Sequence, residues 1–586
     1  MGNLKMIETD VLIAGSGPAG SAMAALLSSY GIDNTLVTKY RWLSDTPRAH
    51  ITNQRTMEVM RDLGLEQQCM LYATGQKLMG HNVFCTSLAG EELGRVHTWG
   101  NHPNSFARHR LASPCEMNDL PQNLLEPIVF GAACARGTRA RLSTEYLSLT
   151  QDQNGVTAQV RDRVSGETYP IRAKYLIGAD GGNSQVAKDI DLPMHGKMGV
   201  AGSINIIVEA DLTKYVAHRP SVLYWVLQPG SNVGGIGMGV VRMVRPWHEW
   251  LIIWGYDING PEPEVTEDFA RGVVHSLIGD STVPVTVKSV STWTVNHMHA
   301  LEYAKGRVFC MGDACHRHPP SNGLGSNTSI QDAYNLAWKL ALVLKGQAAP
   351  SLLGSYNAER APIGKQIVDR ANKSIGEFGP IFDALGLLST TDPDLMKANM
   401  AARKEATPLG QERREKLRQA IAYKVYEFDC HGVEMNHRYA SDAVVSDGTP
   451  DPGFAEDAEL YATATTWPGA HLPHVWLERE RKAISTLDLA GQGRFTLITG
   501  IGGEVWVEAA AEVSARTGVE IATVTIGPGQ DVEDPFGDWA RMREIADDGC
   551  LLVRPDMFIA FRANAAARTA AAELHRAVAQ ILGKPV

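Results

Sequence analysis

Short apolar runs and helical periodicity alternate along the N-terminal part of the chain. Residues 9–14, TDVLIA, read as a strand, and the small-residue run SAMAALLSSYG after the turn GSGPAG reads as a helix ended by Gly31. NTLVTKY at 34–40 reads as a second strand, closing a strand–helix–strand unit of nucleotide-binding length. Two further apolar strands end in acid–glycine pairs: YLIGADGGNS at 175–184 carries Asp180-Gly181, and RVFCMGD at 307–313 carries Gly312-Asp313. Alternation in SVLYWVLQPG at 221–230, WLIIWGYD at 250–257 and VSTWTVNHM at 290–298 predicts a separate sheet. Helical spacing takes over from Ser329 to Lys345 and continues, strongly charged, to about residue 430.

This pattern divides the chain. A discontinuous α/β nucleotide domain is expected from 1–75, 105–195 and 300–375, with a β-sheet substrate domain inserted from 76–104 and 196–299. Residues 376–445 form a helical connection. The turn-rich SDGTPDPG at 446–453 opens a third domain, 446–586, whose strands GRFTLITG, IATVTIG and CLLVRPDMFIAFR alternate with Ala-rich helices. That tail resembles a thioredoxin-like fold. Cys550 is its only cysteine, so dithiol exchange is excluded and a packing or oligomerisation role is expected.

Composition narrows the partners. With 586 residues, 44% hydrophobic and 20% charged, the chain reads as a soluble multidomain protein without a membrane-spanning run. A net charge of -10 argues against nucleic acid. The run Val11–Leu27 follows Glu8 and Asp10 and is broken by Gly15, Gly17, Pro18 and Gly20, so it reads as strand, turn and helix of a cytoplasmic protein rather than a signal peptide. The eight cysteines lack metal-ligand spacing, and His316 and His318, flanking Arg317, are not spaced as a helical ligand pair; no metal is expected.

Gly15, Gly17 and Gly20, with Pro18 and Ala19 between them, form a GxGxxG turn that allows close approach of a pyrophosphate at a helix start. The usual acid some twenty residues on is missing; Thr38 and Lys39 stand there. Either Lys39 and Arg41 pair with the 2′-phosphate of NADP, or the site takes FAD with Thr38 or backbone at the ribose. The two later acid–glycine pairs favour the second reading, since a simple NADP domain needs neither.

GxGxxG, DG and GD in this order and separation resemble the group A flavoprotein aromatic hydroxylases, and the likeness covers nearly the full chain. It implies a Rossmann-like FAD-binding domain in which Asp313, after Gly312, holds the ribityl chain and the loop HRHPPSNGLGSN, through Pro320, Gly323, Leu324, Gly325 and Asn327, faces the flavin ring. Asp180 belongs to the DG motif, which departs from the family by having Ala187 and Lys188 where an arginine usually closes it. PRAHITNQRTMEVMRDLGL places Arg48 near the cofactor, and DLPQNLLEPIV matches a Q-x-x-L-E segment whose Gln122 reaches the flavin side chain.

In related phenol hydroxylases an aspartate stands five residues before the arginine of R-T-x-E; here that offset from Arg55 lands on His50. His50 is therefore the expected base for the substrate hydroxyl, with Asp119 orienting it. Their alternatives are a merely hydrogen-bonded histidine and a helix cap at Leu120. Arg242 is expected near the flavin or, equally, as a salt-bridged surface residue, and Trp225, Trp293 and Pro319 as pocket walls. The resemblance implies bound FAD, NADPH and O2 as co-substrates, ortho-hydroxylation of a phenol, chlorophenols first, and a homodimer. Hydroxybiphenyl- or hydroxyphenylpropionate-type substrates and a non-catalytic FAD-binding redox sensor are the competing readings. A halogenase is disfavoured because no GWxWxIP segment occurs.

Overall fold

The first strand is Ile7–Ala14, at the centre of an eight-stranded sheet in this computed structural model, which describes residues 6–233, 236–261 and 263–585. It pairs in parallel with Thr168–Gly178 on one side and Asn34–Val37 on the other, and Leu12 and Ile13 are wholly buried. Beyond these lie Val308–Cys310 and Arg139–Arg141, with the hairpin Thr144–Gln151/Val156–Asp162 attached to Thr168–Gly178. The second strand stops at Val37, short of the expected Tyr40. Thr38 turns its backbone to Arg141 and Thr144 (3.1 and 2.7 Å), which leaves Lys39 and Tyr40 exposed.

The helix Pro18–Ser29 opens with proline in its first turn, where no intrahelical donor is required, and Gly31 follows it at φ +73°. Gly20 lies so close to the preceding turn that a Cβ would sit 2.0 Å from the Gly15 carbonyl oxygen. The long helix Gly325–Leu344 packs across this one and is buried over most of its surface. It begins four residues before Ser329, because Thr328 already closes a bond to the Leu324 carbonyl (2.9 Å).

The second sheet has eight strands in the order His316–Arg317, Thr286–Ala300, Met194–Glu209, Glu249–Tyr256, Ile236–Arg245, Ser221–Val233, His81–Cys85 and Glu92–His97. One face, with Ile206, Val241 and Ile252, takes the helix Glu267–Ile278 through Val274 and Leu277. Strand register sets the other face. Trp225 opposes Val240, Arg242 opposes Leu223 and Leu251, Leu251 opposes Ile207, and Ser203 opposes Trp293, so Trp225, Arg242 and Trp293 share it.

Helices Gly354–Gly376, Gly379–Ala384, Pro393–Ala402, Pro408–Tyr423, Val425–Phe428 and His431–Met435 make the connection. Residues 436–475 contain no helix or named strand, and the first strand after them is Trp476–Arg479. The four-stranded sheet of the last α/β unit runs Ile521–Ile526, Phe495–Gly500, Cys550–Val553, Ile559–Ala563; the first pair is parallel and the others antiparallel. Cys550 is fully buried there. The unit is locked to the nucleotide domain by Arg554, which meets Glu359 at 2.6 Å and Asp556, while Lys339 reaches the same Glu359 at 2.7 Å; Lys339, Glu359 and Arg554 have no exposed surface. Among the described residues no helix is long and apolar enough to cross a membrane, and no cluster of three His, Cys, Asp or Glu side chains is arranged to hold a metal.

Candidate active site

The glycine turn tests whether a dinucleotide fits. Gly15 has φ +110° and a Cβ would lie 2.1 Å from the Ala179 oxygen, so this position excludes any side chain. Gly17 differs: a Cβ there would meet nothing within 4 Å, so the backbone faces open space. The following helix has no side-chain cap, and its first N–H groups and positive dipole end point at that space. These are the requirements of a bound pyrophosphate, and the residues present fit one.

Asp313 fits too. Its carboxylate is exposed and accepts no hydrogen bond from the described protein, while its carbonyl takes Arg317 Nε at 3.0 Å. Gly312, at φ +62°, donates its N–H to Asp332 (3.1 Å), and Asp332 is held by His316 (2.8 Å) and Arg360 (2.7 Å). His316 is thus a buried strut under the turn. Asp180 is not comparable. Its carboxylate accepts from Ser184 Oγ (2.5 Å) and from the N–H groups of Gln185 (2.7 Å) and Val186 (3.1 Å), so it caps the short helix Gln185–Asp189 instead of reaching into the cleft.

The loop Pro320–Leu324 leads into the uncapped N-terminus of Gly325–Leu344, whose first N–H groups lack intrahelical partners. Gly323, at φ +67°, presses on the strand that follows His50; a Cβ would lie 2.9 Å from that of Ile51. Asn327 does not face the cleft with its side chain. It accepts from Asn53 N (3.0 Å) and donates to the carbonyls of Ile51 (2.9 Å) and Gly323 (2.6 Å), stapling loop to strand. Leu324 and Pro319 are buried and Pro320 is exposed. His318, half-buried near His316, is pushed down to about 4 by desolvation and is neutral at physiological pH.

His50 and Asp119 meet as expected, Nδ1 to Oδ2 at 2.9 Å. Asp119 is fully buried in the two-residue strand Asn118–Asp119 beside Ile51; it does not cap the next helix, which starts at Gln122 after Pro121. Because the carboxylate only accepts, it makes Nδ1 the protonated nitrogen and leaves a lone pair on Nε2. Burial, and then the charge of Arg242, push the imidazole below its ordinary value, against the upward pull of Asp119. Arg242 is 2% exposed and forms no ion pair among the described residues, which is not the surface salt-bridge reading. Its Nη1 donates to the carbonyls of Pro47 (2.5 Å) and Arg48 (2.8 Å), while Nε and Nη2 are buried without a partner. Burial lowers its pKa to about 10, so it still carries its charge at neutral pH.

Beside this pair, Arg48 is exposed, with Nε 3.3 Å from Thr46 Oγ1. Gln122 is occupied by protein: its oxygen receives Ala49 N at 3.4 Å and its amide donates to Glu126 at 2.5 Å. Glu126, which also accepts Ser44 N (2.7 Å) and is pushed up by burial, went unassigned in the sequence although the Q-x-x-L-E spacing contains it. Thr38 is buried, while Lys39 and Arg41 are both exposed to solvent.

Trp225 packs with rings from distant segments: Phe378 at 4.5 Å, Phe428 at 6.1 Å and Phe84 at 6.5 Å. Phe378 and Phe428 come from the helical connection, where nothing in the local pattern marks them. Trp293 is on the same sheet face but is tied down by its Nε1 bond to Asn205 (3.0 Å).

Residues 8–371 match the FAD binding domain family, and residues 465–585 match the family described as aromatic-ring hydroxylase, C-terminal. A 2,4-dichlorophenol 6-monooxygenase of Delftia acidovorans is 59% identical over 577 residues, 98% of each chain. A phenol 2-monooxygenase of Pseudomonas sp. (strain EST1001) is 51% identical over 561 residues, 95% of this chain and 90% of that one. The crystal structure of the flavin-dependent monooxygenase PieE in complex with FAD and substrate matches with a TM-score of 0.95 at 43% identity, covering 99% of this chain and 100% of that chain.

Proposed function

Because the chain belongs to the family of FAD-binding aromatic-ring hydroxylases, we propose that it is a phenol monooxygenase that inserts oxygen ortho to the hydroxyl, with chlorophenols such as 2,4-dichlorophenol as preferred substrates. FAD, when bound there and reduced by NADPH, would activate O2 for transfer of one oxygen atom to the ring, the other leaving as water. The observation that carries the reading is the neutral His50, oriented by Asp119 and set beside the unpaired Arg242. A phenol is a poor nucleophile with its proton on, at an ordinary pKa of about 10. His50 Nε2 takes that proton, and the positive charge of Arg242 favours the resulting phenolate, whose ring is activated at the ortho carbon.

The other residues hold and shield. The N–H groups at Gly17, Ala19 and Gly20, with Gly15 and Pro18 shaping the turn, would take the pyrophosphate, and Asp313 at Gly312 the ribityl chain. The Pro320–Gly325 loop would lie on the flavin ring, its helix N-terminus favouring negative charge there. Arg48, Gln122 and Lys39 would line the outer cofactor cleft; Asp180 and Asn327 act on it indirectly, through the helix cap and the staple. Trp225, with Phe378 and Phe428, would exclude water from the reacting ring, with Pro319 and Trp293 at the margins. A homodimer in a reducing cytoplasm is the proposed setting; the eight free thiols fit the latter, and light scattering tests the former.

The deciding experiment is mass analysis of products from a panel of phenols incubated with the protein, NADPH and O2. Gain of one oxygen, greatest with 2,4-dichlorophenol, is expected. NADPH oxidation that yields only hydrogen peroxide with every phenol would overturn the proposal.

A further inference from the structure

Asn322 lies inside the loop Pro320–Leu324 with a left-handed backbone, φ 67° and ψ −10°, and is 3% exposed. Glycine adopts that conformation freely, so turning the chain does not require an asparagine side chain. The side chain is instead fully engaged elsewhere. Its amide donates to the Tyr426 carbonyl (2.9 Å) and to Cys430 Sγ (3.3 Å), and its oxygen accepts from Ser374 Oγ (2.8 Å). Tyr426 and Cys430 lie in the helical connection, and Ser374 lies near the end of the helix Gly354–Gly376 that leads into it.

Ser374 is itself a junction. Its hydroxyl receives Arg370 Nη2 (2.9 Å), and its carbonyl receives Lys424 Nζ (2.9 Å). Lys424, wholly buried, pairs with Glu427 and stands 3.8 Å over the Phe378 ring. That network carries Phe378 and Phe428, the two rings packed on Trp225. The arrangement joins the loop beside the cofactor cleft to the rings packed on Trp225 by hydrogen bonds and by Lys424, which stands over both Phe378 and Phe428.

We propose that Asn322 is a positioning residue that ties the flavin-side loop to the Trp225–Phe378–Phe428 wall, so that a phenol seated on the wall fixes the loop against the flavin. The inference rests on the hydroxylase reading. Its test uses the full-length FAD-loaded protein and 2,4-dichlorophenol. Asn322→Gly keeps the backbone conformation and removes the three bonds; Ser374→Ala removes one of them from the other side.

For both variants, phenol affinity by calorimetry should stay within about two-fold of the parent, while the phenol-induced change in the flavin absorption spectrum shrinks. Phenol stimulation of NADPH oxidation should fall by about five-fold or more. Should Asn322→Gly not load FAD, Ser374→Ala decides by the same measurements. Parental stimulation and spectral change in the deciding variant would overturn the role of Asn322. A parent protein that holds no flavin, or ignores every phenol, would overturn the hydroxylase reading instead.

Discussion

At His50 three neighbours decide the charge: apolar burial and Arg242 keep the ring neutral, and Asp119 turns it. A base of this kind works until it is protonated, so its depressed pKa extends activity to the acid side of 6.5, the ordinary histidine value. The pH profile of kcat/KM should therefore show its acid limb below 6.5, and Asp119→Asn should move that limb or abolish it. His50→Ala should lower kcat/KM by about 100-fold or more, read by steady-state NADPH oxidation and product yield, and also lower the melting temperature, because it leaves the buried Asp119 carboxylate without its partner. The residue pair was legible in the sequence because an offset from Arg55 points at His50. The lone charge of Arg242 was not, since burial without an ion partner depends on segments some 195 residues away.

Among elements, the strand–glycine–helix turn separates structural from binding demands. Gly15→Ala forces a side chain into the Ala179 oxygen at φ +110° and should destabilise the fold by about 3 kcal/mol or more, seen as a large loss of melting temperature. Gly17→Ala meets nothing in the protein at an ordinary φ of −65° and should fold normally, yet bind FAD more weakly, seen by flavin fluorescence titration. Equal losses of stability in the two variants would contradict this division. Such turns are readable because strand periodicity, glycine spacing and helix start are local. Asp180 and Asn327 sit in equally recognisable motifs, but their side chains serve a cap and a staple, and only the neighbouring backbone reveals that.

Across the whole molecule, the last α/β unit is held by charges that solvent never reaches. Removing one partner strands the others, so Glu359→Gln should cost about 3–5 kcal/mol, measured by chemical unfolding. Acid should act similarly. His318 and His474 are held near 4 and His437 near 3 when folded, so each binds its proton only in the unfolded chain as pH falls below 6.5. Stability is then complete above 6.5 and declines toward pH 4. Asp62, pushed up to about 6 by burial, opposes this between 3.8 and 6, as do Glu126, Glu427 and Glu434, which burial also raises, while His50, His431 and His471, lowered by burial, act with the three. Thermal unfolding across pH 4–8 checks the slope.

The amino-acid pattern by itself determined the nucleotide-binding unit, the inserted sheet, the extra α/β unit and the His50–Asp119 pairing, because each is written in short-range spacing or in motifs a few residues long. Tertiary structure alone decided which acids face the cleft, that Arg242 is buried without an ion partner among the described residues, and that Phe378 and Phe428 pack on Trp225. Those outcomes depend on contacts between segments far apart in the chain, and a side chain's partner there is settled by packing rather than by its neighbours in sequence.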